Sequence, residues 1–336
     1  MTPKNLTSGD LVADRRADYA RMLADAGDAA AAADLMGQAL AIAPDWPAGW
    51  FQLGRYAERA GLIETAGAAY REVLSLCDHD VFGAELKLAA LGCAAMPSQP
   101  PSRYVERLFD DYAARFDKAL VEGLGYSIPE KLADLIFSHA PDQFATAIDL
   151  GCGTGLLGER IRHRVSFLKG YDLSRGMLVK AQEKKIYDVL AQADLKHSAQ
   201  QGGVPLPQDS QQRADLVTAA DVLMYFGDLT PVFQTAASVM VPGGLFAFSV
   251  EDDEADRCWD LRASLRFAHG ESYVRQLCAQ NGFEVVEMRR SPIRRDGEET
   301  IIGLLTLTRR IASLPTLATP VDAQTISPVQ EGPLLH

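Results

Sequence analysis

An apolar run that ends in three alternating glycines constrains this chain more than any other stretch. It reads Ala147-Ile148-Asp149-Leu150-Gly151-Cys152-Gly153-Thr154-Gly155. A strand runs into a glycine loop, and a helix begins after it. Glycines permit positive φ and let the backbone approach a ligand closely. The helix N-terminus then presents unpaired N–H groups. A dinucleotide loop asks for G-x-G-x-x-G with a pyrophosphate over the helix. The spacing here is G-x-G-x-G, and Gly158 stands at the dinucleotide distance only from Gly155. Asp149 precedes the loop by two residues. A carboxylate there repels a pyrophosphate and suits a cationic group, such as the ammonium of an amino-acid moiety.

Short apolar runs alternate with helical ones around this loop. Strands are expected at 145–150, 166–172, 189–194, 215–220 and 245–250, with helices near 155–163, 174–185, 230–240 and 270–281. That order predicts an α/β fold, a parallel sheet covered on both faces. Two further strands, 283–288 and 300–308, flank a charged turn at 294–299 and read as an antiparallel edge hairpin. The whole is a Rossmann-like, seven-stranded mixed sheet. Two more acids fall at strand ends. Asp172 lies 23 residues beyond Asp149, where a carboxylate accepts both hydroxyls of a ribose. Asp194 ends the third strand and is placed to accept from an adenine amine, while the Leu195 N–H meets a ring nitrogen. A surface Asp at a strand end is common; the ordered set of three carries the argument.

Residues 11–95 differ: they are rich in Ala, Leu and Arg and read as helix throughout. Ala32, Met36, Ala39 and Pro44 return, loosely, 34 residues later as Ala66, Tyr70, Val73 and Asp78. With Trp50, Leu53, Gly54 and Gly61, this resembles the tetratricopeptide pattern, in which small residues let antiparallel helices approach. A plain helical-hairpin domain without a binding role is the simpler reading of the same residues. An all-α helical-repeat domain thus precedes the sheet, with a capping helix at 80–92. Pro97, Pro100 and Pro101 mark a hinge. An amphipathic helix follows, carrying Tyr104, Leu108, Phe109, Tyr112 and Phe116. Residues 202–212 read as a mobile loop, and 311–336, with four prolines, as a poorly ordered tail.

On these motifs the sequence resembles the class I S-adenosylmethionine-dependent methyltransferases over a domain spanning 103–310. Asp149 to Gly155 is similar to the first motif, Gly170-Tyr171-Asp172-Leu173-Ser174 to the second and Ala193-Asp194-Leu195 to the third. Ala214 to Val217 with Ala219 to Val222 is similar to the fourth, and Val241-Pro242-Gly243-Gly244 is the turn before the fifth strand. The segments Leu108–Asp117 and Leu265–Tyr273 resemble those of a bacterial subgroup in which tetratricopeptide repeats precede the methyltransferase. The resemblance implies S-adenosylmethionine as cofactor and S-adenosylhomocysteine as product. It implies cofactor contacts at Asp149, Gly151, Gly153, Gly155, Asp172, Leu173, Met177, Asp194, Leu195 and Ala220, with Tyr112 and Phe116 as a lid. Cys152, in the loop, is given no chemistry.

A sulfonium methyl is already electrophilic, so such an enzyme mainly aligns an acceptor and hides the pair from water. The acceptor belongs beyond the fourth and fifth strands. Asn-Pro-Pro-Tyr tetrapeptides of the family's nucleic-acid and glutamine N-methylating members are replaced here by Ala219-Ala220-Asp221-Val222, which lowers those readings. His269 is the preferred base or orienting group, with Tyr225, Arg266 and Tyr273 beside it. A helix-capping histidine and a surface salt bridge are the plainer readings of His269 and Arg266. The acidic run Glu251–Glu254 is either a solvated loop or an attractor of a cationic acceptor.

Composition closes other routes. With 33 Lys and Arg against 45 Asp and Glu, a net charge of -12 disfavours broad nucleic-acid binding. Five scattered cysteines form no CxxC pair, so neither a structural zinc site nor any other metal is expected. The odd cysteine count and the lack of an apolar leader or of an 18-residue apolar run predict a cytoplasmic protein that does not span a membrane. The expected activity is methyl transfer to a small-molecule or protein acceptor, with protein docking on the helical domain. The alternatives are a non-catalytic scaffold that keeps the fold and, disfavoured by the loop, a nicotinamide-dependent oxidoreductase.

Overall fold

The computed structural model describes residues 7–118, 126–140, 142–209, 212–296 and 299–311. The tail expected over 311–336 therefore lies, beyond Ile311, outside the described residues, as do Ser210 and Gln211 of the expected loop.

Five helices come first: α1 (Leu11–Asp25), α2 (Ala29–Leu40), α3 (Pro47–Arg59), α4 (Ile63–Leu76) and α5 (Ala84–Ala90). Asp10 and Asp28 start the first two by accepting backbone N–H bonds at their N-termini. Neighbouring helices pack as hairpins because small residues face large ones. A Cβ on Gly54 would lie 2.4 Å from the Tyr70 ring of α4, and one on Gly49 2.9 Å from Leu40 of α2. The helical region is not a separate bead. Leu86 of α5 is buried against Leu261 and Phe267 of the sheet region, and Arg107 lies over the Phe82 ring at 5.1 Å.

The proline-rich segment at 97–101 is tied down rather than a free hinge. The Ser98 carbonyl accepts from the Gly227 and Asp228 N–H groups at 3.1 and 2.9 Å. Helix α6 (Ser102–Tyr112) follows, then a 3-10 turn, α7 (Phe116–Lys118) and α8 (Ile128–His139).

The sheet contains β1 (Phe144–Leu150), β2 (Val165–Asp172), β3 (Val189–Gln192), β4 (Ala214–Ala219), β5 (Met240–Asp252), β6 (Trp259–Leu261), β7 (Phe267–His269), β8 (Phe283–Asp296) and β9 (Glu299–Arg310). Helices α9 (Leu156–Ile161), α10 (Arg175–Lys184), α11 (Thr230–Val239) and α12 (Glu271–Gln280) connect them. Strands run β3-β2-β1-β4-β5 in parallel, and β9 then pairs antiparallel with both β5 and β8. These seven strands are the expected mixed sheet with its edge hairpin. The expected turn at 241–244 is a register irregularity inside β5, where pairing with β4 jumps from Met240 to Leu245.

The three-residue strands β6 and β7 extend the end of β5, with Asp252 opposite His269. Residues 265–269 were expected as a loop entering a helix; so short a strand carries no readable period. Both sheet faces are buried. Leu132, Ile136 and Leu157 cover one, and Phe233 with Phe246 and Phe248 fill the other. Because β1 leads outward to β2 while β4 lies on its other side, the strand order reverses between β1 and β4. A crevice opens there, beyond the strands' C-terminal ends.

Candidate active site

The crevice holds a cavity of about 270 Å³. Its floor is the glycine loop. Gly151, Gly153 and Gly155 have φ of +67°, +53° and +90°, so an L side chain is strained at each. Gly151 is also crowded: an added Cβ would sit 2.4 Å from Val222. Gly155 does not line the cavity; it N-caps α9.

Three carboxylates at the ends of β1, β2 and β3 face this space. Asp149 is buried, accepting from the Tyr187 hydroxyl and from Thr218 Oγ1, each at 2.7 Å. Burial pushes its pKa up to about 6 against those two hydrogen bonds. Asp172 spans two loops. Its oxygens accept from the Gly153 and Ser174 N–H groups, both at 2.8 Å, and burial again raises its pKa to about 6. Asp194 accepts from Ser102 Oγ at 2.6 Å and from the Lys196 N–H at 3.1 Å, so α6 already holds one of its oxygens. Leu173, Met177, Leu195 and Ala220 also line the cavity.

Helix α6 and the turn after it form the roof. Tyr112 and Phe116 meet edge to face at 5.5 Å, and Phe109 packs edge to face on Tyr225 at 5.0 Å. No residue of α6 is fully buried, as suits a helix whose apolar stripe faces a cavity. Polar contacts pin the roof to the floor. Asp110 accepts from Ser174 Oγ at 2.6 Å and from the Gly176 N–H at 2.9 Å. Asp117 accepts from Thr154 Oγ1 and pairs with Lys184 at 3.0 Å.

The far wall carries Tyr225, Arg266 and Asp221. Arg266 Nε lies 3.4 Å from the Tyr225 hydroxyl. Asp221 adopts φ +54°, a left-handed conformation that costs a non-glycine residue about 1–3 kcal/mol and clusters at functional sites. Beneath it, Arg294 of β8 is buried between Asp221 and Glu251 and pairs with both. Burial raises the Asp221 pKa, and Arg294 opposes the rise.

His269 and Tyr273 are not at this wall. His269 is fully buried on β7, with Nε2 3.0 Å from the Gly227 carbonyl and its ring stacked on Tyr273. Burial lowers its pKa to about 4, so it is neutral. The Tyr273 hydroxyl accepts from the Leu229 N–H at 3.0 Å and lies 3.2 Å from Asp228 Oδ1. Both residues brace the segment after β4. Pairing of β7 with β5 turns His269 into the fold, away from the residues that line the cavity.

The acidic run is likewise corrected. Glu251, Asp252 and Asp253 are buried and pair with Arg294, Arg290 and both Arg257 and Arg262, so these three are not a solvated loop, and only Glu254 of the run is exposed. Burial holds the Cys152 thiol well above its usual pKa, which leaves it unreactive. Sequence reasoning missed Tyr126, Val222 and Phe226 as cavity walls and Tyr187 as the partner of Asp149. Only for Val222, next to the fourth-strand acid, was a signal present.

Residues 148–246 match a family model described as a methyltransferase domain. A malonyl-[acyl-carrier protein] O-methyltransferase of Hahella chejuensis is 31% identical over 144 residues, 42% of this chain and 47% of that protein. The biotin biosynthesis bifunctional protein BioHC of Saccharophagus degradans is 27% identical over 168 residues, 50% of this chain and 28% of that protein. The chain thus spans less than half the length of either relative. Among solved structures, the [4+2]-cyclase SpnF superposes with a TM-score of 0.52 at 16% identity, covering 65% of this chain and all of that one. Strand order, glycine loop and edge hairpin together give the chain a class I S-adenosylmethionine-dependent methyltransferase fold, preceded by a helical region.

Proposed function

We propose that this protein transfers the methyl group of S-adenosylmethionine to a small-molecule or protein acceptor by direct in-line displacement. One observation carries the reading: three carboxylates at successive strand ends face a single cavity floored by the glycine loop. The cavity suits the cofactor chemically. In the proposed assignment Asp149 meets the ammonium, Asp172 the ribose hydroxyls, and Asp194 with Leu195 the adenine edge. Leu173, Met177 and Ala220 pack on the cofactor, and the backbone of Gly151 and Gly153 admits its close approach.

When bound, S-adenosylmethionine would offer its sulfonium methyl to the acceptor's lone pair, with the carbon–sulfur electron pair left on sulfur. The protein's own part is placement and exclusion of water. Tyr112 and Phe116 roof the cavity. Tyr225, Arg266 and Asp221 would hold the acceptor. Asp221 would accept the proton of a hydroxyl acceptor, or of an amine that arrives protonated and must lose that proton before it attacks.

The domain division follows the same reading: residues 11–95 as a tetratricopeptide-like docking unit, 103–310 as the catalytic domain. A docking unit favours a protein- or carrier-bound acceptor, and the Hahella relative is named for a carrier-bound substrate. Among the described residues no helix is long and apolar enough to cross a membrane, and the five cysteines are free, which supports a reducing, cytoplasmic setting. Fold alone does not carry the activity, since the similar SpnF structure is of a cyclase. The test is labelled-methyl transfer from S-adenosylmethionine into an extract of the parent cell, with protein separated from small molecules. Label appearing in one fraction only when the enzyme is added supports the reading. Cofactor binding without any transfer favours the non-catalytic scaffold.

A further inference from the structure

Gly158 stands at a dinucleotide-like distance from Gly155, and an aromatic side chain fills the space beside it. A Cβ placed on Gly158 would meet the Tyr187 hydroxyl at 2.3 Å. Gly155 and Gly170 face the same ring, each with an ideal Cβ 2.9 Å from it. The three glycines form a slot through which the phenol of Tyr187, from the loop between α10 and β3, crosses under the cofactor loop. At its end the hydroxyl donates to Asp149 Oδ2 at 2.7 Å, and Thr218 donates to the other oxygen.

We propose that Tyr187 is a positioning residue that holds the Asp149 carboxylate ionised and oriented toward the ammonium of the cofactor's amino-acid end. The inference rests on the reading that S-adenosylmethionine occupies the cavity. Both donors to Asp149 are hydroxyls, which favour the charged carboxylate without neutralising it, so its charge stays available to a cation. Tyr187 is a dependable donor because burial and Asp149 hold its pKa well above the usual value. Asp172 and Cys152 bear on this pair electrostatically, and Asp172 adds a second acidic group beside it. Asp149 therefore offers an ammonium a negative anchor whose geometry is fixed from below.

The test is calorimetric binding of two probes: S-adenosylhomocysteine, which has the ammonium, and 5′-methylthioadenosine, which lacks the amino-acid part. Tyr187→Phe keeps the ring in its slot and removes one hydrogen bond to a charged group. It should weaken S-adenosylhomocysteine by about tenfold and leave methylthioadenosine within about twofold. Because Asp149 then keeps its proton to higher pH, the deficit should shrink as pH rises from 6 to 8. Gly158→Ala gives a second route: alanine suits a helix, but its Cβ displaces the hydroxyl, so the same selective loss is expected. If either variant binds both probes as the parent does, or loses both alike, Tyr187 only packs and the inference fails. A parent protein that binds neither probe overturns the cofactor reading and the inference with it, a distinct result.

Discussion

Acidification should loosen the cofactor in a way that depends on which end of it is present. Asp149 and Asp172 both titrate near 6 in the ligand-free protein because they are buried. Each must be ionised to serve: Asp149 to balance an ammonium, Asp172 to accept from ribose hydroxyls while it accepts from Gly153 and Ser174. At pH 5 roughly one molecule in eleven carries a given carboxylate ionised, so each group lowers affinity about tenfold relative to pH 7.5. S-adenosylhomocysteine, which meets both, should therefore weaken by about 100-fold between those pH values. Methylthioadenosine, which meets only Asp172, should weaken by about tenfold.

The two carboxylates feel each other, so the midpoints belong to the pair. Stability moves the opposite way. The folded state keeps these protons up to about pH 6, whereas carboxylates ordinarily release them near 3.8. The stability they contribute is present at low pH and lost as pH rises through that window. Calorimetry across pH 5–8, in buffers of matched ionic strength, reads both slopes. Equal slopes for the two ligands, or no slope for either, would refute the assignment of Asp149 to the ammonium.

Other perturbations reach the walls of the same cavity. Arg294→Met should cost about 3–5 kcal/mol in urea denaturation, because Glu251 and Asp221 lose the cation between them; a loss below about 1 kcal/mol would mean the triad is relaxed by water. Gly151→Ala places a methyl against Val222 at a left-handed position, so it should abolish S-adenosylhomocysteine binding and cost about 1–3 kcal/mol. Adding Val222→Ala should recover part of that loss but not the strain at φ +67°. Tyr112→Ala or Phe116→Ala opens the roof and should raise the S-adenosylhomocysteine dissociation rate about tenfold in stopped-flow, with little change in association; an unchanged rate would remove them from the lid.

What was legible follows from what a sequence encodes locally. Asp149, Asp172 and Asp194 were visible because each closes an apolar run, and alternation of strands and helices places such ends together. The edge hairpin was visible because a charged turn separates two apolar runs. His269 misled for a physical reason. Its chemistry is that of a base, but strand β7 is three residues long and its pairing with β5 is non-local, so nothing nearby in the chain reveals that the ring points inward. The acidic run misled similarly, since its arginine partners lie as far away as Arg290 and Arg294. Tyr187 was illegible alone; only the slot of Gly155, Gly158 and Gly170 gives its position meaning.

The central claim is that the crevice beyond β1 and β4 is built for S-adenosylmethionine. Calorimetric titration with S-adenosylmethionine, S-adenosylhomocysteine and NAD tests it most directly. Saturable one-to-one binding of both sulfur ligands, each tighter than NAD, is the result predicted. NAD binding more tightly than both would contradict the account.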